Sequence, residues 1–442
     1  MRNITYEGPS TPLSEELDAM KYRQKGETFD GKVKRLARSL CDGTEHQWIL
    51  EDIFGNMRFL PAGRVQSAMG ADKLVTAYNC FVSGEIKDSM DSIMDRAKEA
   101  AETMRRGGGI GYDFSKVRPK GNTIKSLESQ ASGPISFMSI FDAVCQTISS
   151  SGHRRGAQMG VLRIDHPDIV DFITAKRNSD KLTGFNISLG ITDKFMEALS
   201  KEDDSFDLIF EGIVHETVSA NEIWNLAMES TWDWAEPGVL FIDRIKEMNN
   251  LYYCEDISAT NPCGEQPLPP YGACLLGSFN LTKYLTGDTG NYTFNFEQFK
   301  EDIPHVVRAQ DNVVDRTIYP LREQEDEAKN KRRMGLGITG LANAGEMLGF
   351  EYGSKPFLRW MEKVFACLRD NTYYASAKLA EEKGAFPLYR EEYLKGNFIR
   401  TLPSFVQKEI RKHGIRNSHL TSIAPTGTIS LVADNVSGGI EP

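Results

Sequence analysis

Residues 259–281, ATNPCGEQPLPPYGACLLGSFNL, gather the side chains of this sequence best suited to chemistry. Cys263 lies between Pro262 and Gly264, with the amide of Asn261 two residues before it and the carboxylate of Glu265 two residues after. A second thiol, Cys274, follows eleven residues later. Pro262 fixes its own φ and lacks a backbone donor, while Gly264 is free to take a positive φ, so the segment reads as a loop. If the backbone there is extended, side chains 261, 263 and 265 alternate onto one face and meet a ligand together. A nucleophilic cysteine wants a cationic neighbour that lowers its pKa. A carboxylate does the opposite and favours the neutral S–H. The trio suits a thiol whose hydrogen matters, with Glu265 as general base. Taken alone, the same residues also describe a buried structural cysteine in a Pro-Gly turn, the commoner fate of a cysteine.

Two glycine-containing segments invite a ligand reading. GGGIG (107–111) lacks the context of a dinucleotide loop, which follows a strand and opens a helix. Here an amphipathic helix ends and a strand begins, so the segment is a helix stop and tight turn, or backbone that a ligand can approach closely. SIAPTGTISLVADN (422–435) places a turn after a strand-like SIA and before a helix. Free N–H groups with the hydroxyls of Thr426, Thr428 and Ser430 suit a phosphate. An ordinary Ser/Thr cap explains the same residues.

The elements that must hold these groups are legible as pattern. Residues 1 to about 55 read as short helices, MRFLPAGR as a turn, and KLVTAYNCFVSG as a strand. Met90, Ile93, Met94, Ala97, Ala101 and Met104 recur at helical spacing, with Asp88 or Ser89 as the cap and IGYDFS as the following strand. Ser219 and Glu222 form a capping box before another helix, and VLFI reads as a strand. KRRMGLGITGLANAGEMLGF reads as a helix. Alternating strands and helices indicate α/β architecture, and no linker or repeat divides the chain.

Composition sets outer bounds. With 442 residues the chain can bury a large core unaided. A net charge of −10 gives no footprint for direct nucleic-acid binding. Seven cysteines without a CxxC pair, and seven histidines, fit neither a secreted disulfide framework nor a zinc module. No basic-then-apolar leader or long uncharged apolar run appears, so the expectation is a cytoplasmic, non-membrane protein with reduced thiols.

Nine segments, in order, resemble the catalytic subunit of ribonucleotide reductase, most closely its adenosylcobalamin-dependent class: RFLPAGR, YNCFVSGEIKDSMDSI, RRGGGIGYDFSKVRPKG, HRRGAQMGVLRIDHPDI, FNISLGITDKFM, EPGVLFIDRI, NPCGEQPLPPYGACLLGSFNL, RRMGLGITGLA and SIAPTGTISL. The resemblance implies a ten-stranded α/β barrel over residues 56–442, with the radical cysteine on a central finger loop and a short helical segment, 1–55, covering one end. It implies that Cys263 is the thiyl-radical cysteine that abstracts the ribose 3′ hydrogen. Glu265 then takes the 3′-hydroxyl proton, and Asn261 holds the ribose hydroxyls. Cys80 and Cys274, 194 residues apart, become the pair that reduces the substrate and closes to a disulfide. Asn79, Gly108 and Gly109 would line the substrate ribose, and Pro425, Thr426, Gly427, Thr428, Ile429 and Ser430 would cradle its phosphate.

For regulation, the resemblance implies a nucleoside triphosphate effector (a dNTP or ATP) contacted by Asp88, Ser89, Arg118, Lys176 and Arg177, with loops at 119–130 and 176–185. It further implies a ribonucleoside di- or triphosphate substrate, a thioredoxin- or glutaredoxin-type reductant, and a homodimer. The expected radical source is adenosylcobalamin, the alternative a separate subunit carrying a dinuclear metal centre. No ATP-cone is expected before the barrel. The last part of the barrel and a C-terminal cysteine pair are expected to lie outside the sequence. Two other functions compete: a two-electron thiol oxidoreductase and a degenerate nucleotide-sensing protein.

Overall fold

The computed structural model describes residues 6–124, 128–148, 156–177 and 181–442. Parts of both expected effector loops (125–127 and 178–180) and the HRR of HRRGAQMG (within 149–155) lie outside the described residues. The chain folds as two compact units: residues 80–273 with 320–324, and residues 1–79 with 274–319 and 325–442.

The first of these is built on a parallel sheet. Its strands run Gly238–Phe241, Phe185–Ile191, Gln158–Arg163, Gly109–Asp113 and Cys80–Val82 across the sheet. Parallel strands covered by helices read as almost continuous apolar runs, as FNISLGI and QMGVLR do. Tyr112, Phe114, Phe141 and Phe185 meet edge to face or tilted with centroids 4.9–6.2 Å apart. The Tyr112 hydroxyl donates to Gln158 Oε1 at 2.9 Å, so its polar end is satisfied inside the core. The helix Met90–Arg105 packs Ile93, Ala97, Ala100 and Met104 onto this core. Ser89 caps it, accepting from Ser92 N–H, which leaves Asp88 for other contacts.

The second unit begins with the expected helices Pro12–Lys21, Phe29–Leu40 and Thr44–Gly55. MRFLPAGR is not simply a turn: Phe59–Pro61 is a strand antiparallel to Leu276–Asn280. KRRMGLGITGLA is not one helix either. Gly335–Thr339 is a fully buried strand parallel to Leu276–Asn280, and the helix Leu341–Met347 follows it. Glycine explains the difference. A Cβ at Gly337 would stand 2.3 Å from the carbonyl oxygen of Ser422, so the strand exists because its side-chain-free backbone lets a neighbour in.

An ionic cluster fixes the entry to that strand. Asp311, fully buried, accepts from Arg332 Nε and Asn417 Nδ2 at 2.8 Å each and from Arg416 Nε at 3.1 Å. These three bonds match the buried carboxylate with donors, the condition under which burying charge is tolerated. No helix among the described residues is long and apolar enough to cross a membrane.

Candidate active site

The cysteine segment is a hairpin loop. Ala259–Thr260 pairs antiparallel with Pro267–Leu268, and residues 261–266 form the connection. Four hydrogen bonds tie it down. Asn261 N–H donates to the Gln266 carbonyl at 3.1 Å, and Gln266 N–H donates back to Asn261 Oδ1 at 2.9 Å. Gly264 N–H closes a turn onto the Asn261 carbonyl at 3.0 Å, with the glycine at φ +82°. The Asn261 amide donates to Glu265 Oε2 at 2.6 Å.

This corrects the expected route to convergence. The three side chains are not arrayed by strand alternation, because Pro262 and Gly264 turn the backbone between them. Asn261 and Glu265 instead meet across the base of the turn and Cys263 stands at its tip. The thiol is exposed, Glu265 half-buried and Asn261 fully buried. The structural-cysteine reading required a buried thiol, and the structure places Cys263 outside the core. A buried amide holding a carboxylate by a charge-assisted bond pre-orients that carboxylate.

The hairpin lies against the glycine strand. A Cβ at Gly111 would stand 1.8 Å from the Thr260 carbonyl oxygen. At Gly109 it would stand 3.0 Å from Pro262 Cγ, 3.1 Å from the Ala157 carbonyl oxygen and 3.3 Å from Cys80 Sγ. Residues 109 and 111 share one face of the strand, so the pair leaves that face bare where the hairpin crosses. Gly108 is different: its Cα faces the Phe81 ring and Thr103 at the helix end. Cys80 opens its strand directly beside Gly109 in register. Asn186 Nδ2 donates to the Pro262 carbonyl at 2.8 Å and anchors the turn from the next strand but one.

Sequence reading singled out Gly108 and Gly109 but passed over Gly111 and Asn186. The alternation of glycines 109 and 111 was the available signal for the first. Nothing local marks Asn186, since its partner lies 76 residues away.

In the same unit, Asp88 accepts from Arg118 Nε at 2.6 Å and from Arg118 N–H at 3.1 Å. The expected effector residues 88 and 118 are thereby together, beside a groove of about 470 Å³ that Asp88, Lys116, Arg163 and His166 help to line. Ser89 is engaged as the helix cap. Lys176 bonds the Phe185 carbonyl and Glu236, and Arg177 donates to Ser230 Oγ at 3.1 Å.

The other unit carries Cys274, Asn79 and the 425–430 turn. Asn79 N–H donates to the carbonyl of the buried Cys274 at 3.3 Å. Asn79 Oδ1 is buried and has no hydrogen-bond partner among the described residues. An orphaned buried acceptor costs about 1–3 kcal/mol unless a ligand satisfies it.

PTGTIS does open a helix, Gly427–Val432, with Thr426 in the left-handed region at φ +53°. Two of its three hydroxyls are committed. Thr426 Oγ1 accepts from Gly439 N–H at 3.1 Å and lies 3.2 Å from Thr339 Oγ1, while Ser430 donates to the Gly427 carbonyl at 3.2 Å. Pro425, Gly427 and Thr428 are exposed, and Ile429 is buried. Nothing lies within 4 Å of a Cβ at Gly427. The face offered to an anion is therefore backbone N–H at 427 and 428 with the Thr428 hydroxyl.

Residues 78–442 match the family model for the ribonucleotide reductase barrel domain. The chain belongs to the ribonucleotide reductase family. Its fold is the α/β barrel of that family, as the resemblance implied. It is 38% identical over 397 residues to the vitamin B12-dependent ribonucleoside-diphosphate reductase of Thermoplasma acidophilum, covering 89% of this chain and 49% of that protein. A reductase of the same description from Mycobacterium tuberculosis is 36% identical, with coverage of 94% and 58%. The ribonucleoside-diphosphate reductase large subunit of Monkeypox virus is 25% identical, with coverage of 82% and 52%. The chain spans about half the length of the curated relatives it matches.

Proposed function

We propose that the chain carries the catalytic core of a ribonucleotide reductase that makes 2′-deoxyribonucleotides by radical chemistry. The observation that carries this reading is the hairpin tip: an exposed thiol flanked by a buried amide that holds a carboxylate at 2.6 Å. Oxidation of the Cys263 thiol to a thiyl lets it remove the ribose 3′ hydrogen. Glu265, oriented by Asn261, takes the 3′-hydroxyl proton. Cys80 and Cys274 then give up two electrons and two protons. The 2′ C–O bond breaks, water leaves, a C–H bond forms at C2′, and an S–S bond joins the two cysteines; Cys263 returns its hydrogen to C3′ and Glu265 its proton to the 3′ oxygen, which restores the thiyl and the carboxylate. Asn79 Oδ1 supplies a buried acceptor for a substrate hydroxyl, and the 427–428 N–H groups bind phosphate.

Adenosylcobalamin is the proposed radical source, because relatives at 36–38% identity are named for vitamin B12. The exposed Cys263 tip fits a bulky cofactor approaching from outside the core. When bound, adenosylcobalamin would supply organic-radical chemistry, and Cys263 is the residue of this chain that would give up a hydrogen to it. Asp88 and Arg118 are proposed to bind a nucleoside triphosphate effector; Ser89, the cap of the adjoining helix, and Lys176 and Arg177 are proposed as further contacts. A thioredoxin- or glutaredoxin-type reductant and a homodimer complete the proposal.

The test is reduction of a ribonucleotide with dithiothreitol and effector, with adenosylcobalamin in one arm and omitted from the other. Turnover only with cobalamin is expected. Turnover that needs an added metal-bearing subunit instead would move the radical source to the alternative, and a chain inactive under both conditions would refute the catalytic reading.

A further inference from the structure

Asn186 is out of keeping with the strand it enters. It alone in Phe185–Ile191 is exposed, and asparagine is a poor strand former. Asn186 stands in register with Met159, and Met159 with Gly111, so the three share one face across adjacent strands. The thiol hairpin lies along that row. At one end its Thr260 carbonyl fills the space that a Cβ on Gly111 would need. At the other, two residues further along the hairpin, its Pro262 carbonyl accepts from Asn186 Nδ2 at 2.8 Å. Pro262 directly precedes Cys263, so Asn186 holds the peptide that carries the thiol.

The backbone behind Asn186 is itself fixed. The Phe185 ring belongs to the buried core, and its carbonyl, in the peptide shared with Asn186, accepts from Lys176 Nζ. A hydrogen bond from a cation is stronger than one between neutral groups. Lys176 also pairs with Glu236. Just before this peptide, Gly184 N–H donates to the buried Asp142 Oδ1 at 2.7 Å. Gln146 Nε2 donates to the other oxygen of that carboxylate at 2.8 Å.

A continuous chain of contacts therefore runs from the Lys176 ammonium, through the 185–186 peptide and the Asn186 amide, to the peptide of Cys263. We propose that Lys176 and Asn186 are positioning residues for the Cys263 thiol, with Lys176 setting the peptide from which Asn186 reaches the thiol turn. Neither needs to touch substrate in this role. The consequence for turnover rests on the reductase reading, whereas the hold on the turn does not.

Amide hydrogen exchange in the full chain, followed by mass spectrometry with no nucleotide present, reads the hold through Gly264 and Gln266. Both N–H groups bond to Asn261 and are released when the turn opens. Asn186→Ala should speed their exchange about tenfold, the upper range for loss of one hydrogen bond. Asn186→Asp, equal in shape but unable to donate when ionised, should do at least as much. Lys176→Met removes the charge and should give about threefold. Lys176→Met combined with Asn186→Ala should exchange no faster than Asn186→Ala alone, because Lys176 acts through Asn186. Exchange in the paired strands Ser205–Phe210 and Ile213–Ser219 of the same unit should not change, which separates a loosened turn from a destabilised fold. In the cobalamin assay, kcat and kcat/KM of Asn186→Ala should fall together by about tenfold with KM steady, the mark of a misplaced reacting group. Turn exchange in Asn186→Ala and Asn186→Asp equal to that of the unaltered chain would overturn the hold. A double variant faster than Asn186→Ala would overturn the link from Lys176, and faster exchange with unchanged kcat would overturn the role in turnover. A chain whose turn responds as predicted but which reduces no ribonucleotide would refute the reductase reading and leave the hold standing.

Discussion

Gly111→Ala tests whether the thiol hairpin is held by the bare face of the glycine strand. The added methyl would stand 1.8 Å from the Thr260 carbonyl oxygen, a backbone atom that no side-chain rotation can move away. An ordinary carbon–oxygen contact is about 3.3 Å, so strand and hairpin must separate by about 1.5 Å. Such overpacking costs about 1–3 kcal/mol of stability. The effect on turnover is expected to be larger. Thr260 directly precedes Asn261, so the shift is passed to the amide, the carboxylate and the thiol together. A misplacement of about 1 Å in a reacting group costs about a hundredfold in rate. Deoxyribonucleotide formation, measured beside the melting temperature, should fall at least a hundredfold while the protein stays folded. Gly190→Ala on the same sheet is the control, since its methyl would meet nothing nearer than 3.5 Å and should leave turnover intact. A Gly111→Ala protein that works within threefold of the unaltered chain would refute the idea that this contact sets the site.

Two further outcomes bear on the scaffold. Burial holds His46 near a pKa of about 4, against an ordinary 6.5. Its Nδ1 accepts from Asp42 N–H at 3.1 Å and its Nε2 lies 3.0 Å from the His305 carbonyl, a pair of partners that fits the neutral ring. Between those pKa values the unfolded chain binds a proton that the folded chain refuses, so stability rises with pH across the window and is lost on acidification. Allowing for solvent screening, His46 should account for about 1–2 kcal/mol of loss between pH 7 and 5 in urea titrations, and His46→Asn should flatten that slope. Asp311→Ala removes the buried acceptor shared by Arg332, Asn417 and Arg416, while Arg332 keeps its two-point bond to Asp315; it should cost about 1–3 kcal/mol by urea midpoint, more than an exposed ion pair such as Lys300–Glu297.

The sequence carried much of the site, and where it fell short the cause was long-range. Pro262 and Gly264 announced a loop, and Glu265 announced a thiol kept protonated, because these are local rules. How Asn261 meets Glu265 was not legible, since it depends on a hairpin closed by bonds from 261 to 266. Residues 335–339 were read as helix because glycine and small apolar residues do not separate a buried strand from a helix. The Ser422 backbone that presses on Gly337 decides the matter and lies 85 residues away. Ser89 rather than Asp88 capping its helix left Asp88 for Arg118, a partner that no spacing rule would supply.

The most direct test of the central claim is Cys263→Ser, assayed for ribonucleotide reduction and, in the same preparation, for binding of a nucleoside triphosphate effector. The hydroxyl keeps the size of the thiol but holds its hydrogen too strongly to form the radical. The account predicts no deoxyribonucleotide and unchanged effector affinity. Product formation by Cys263→Ser would contradict it.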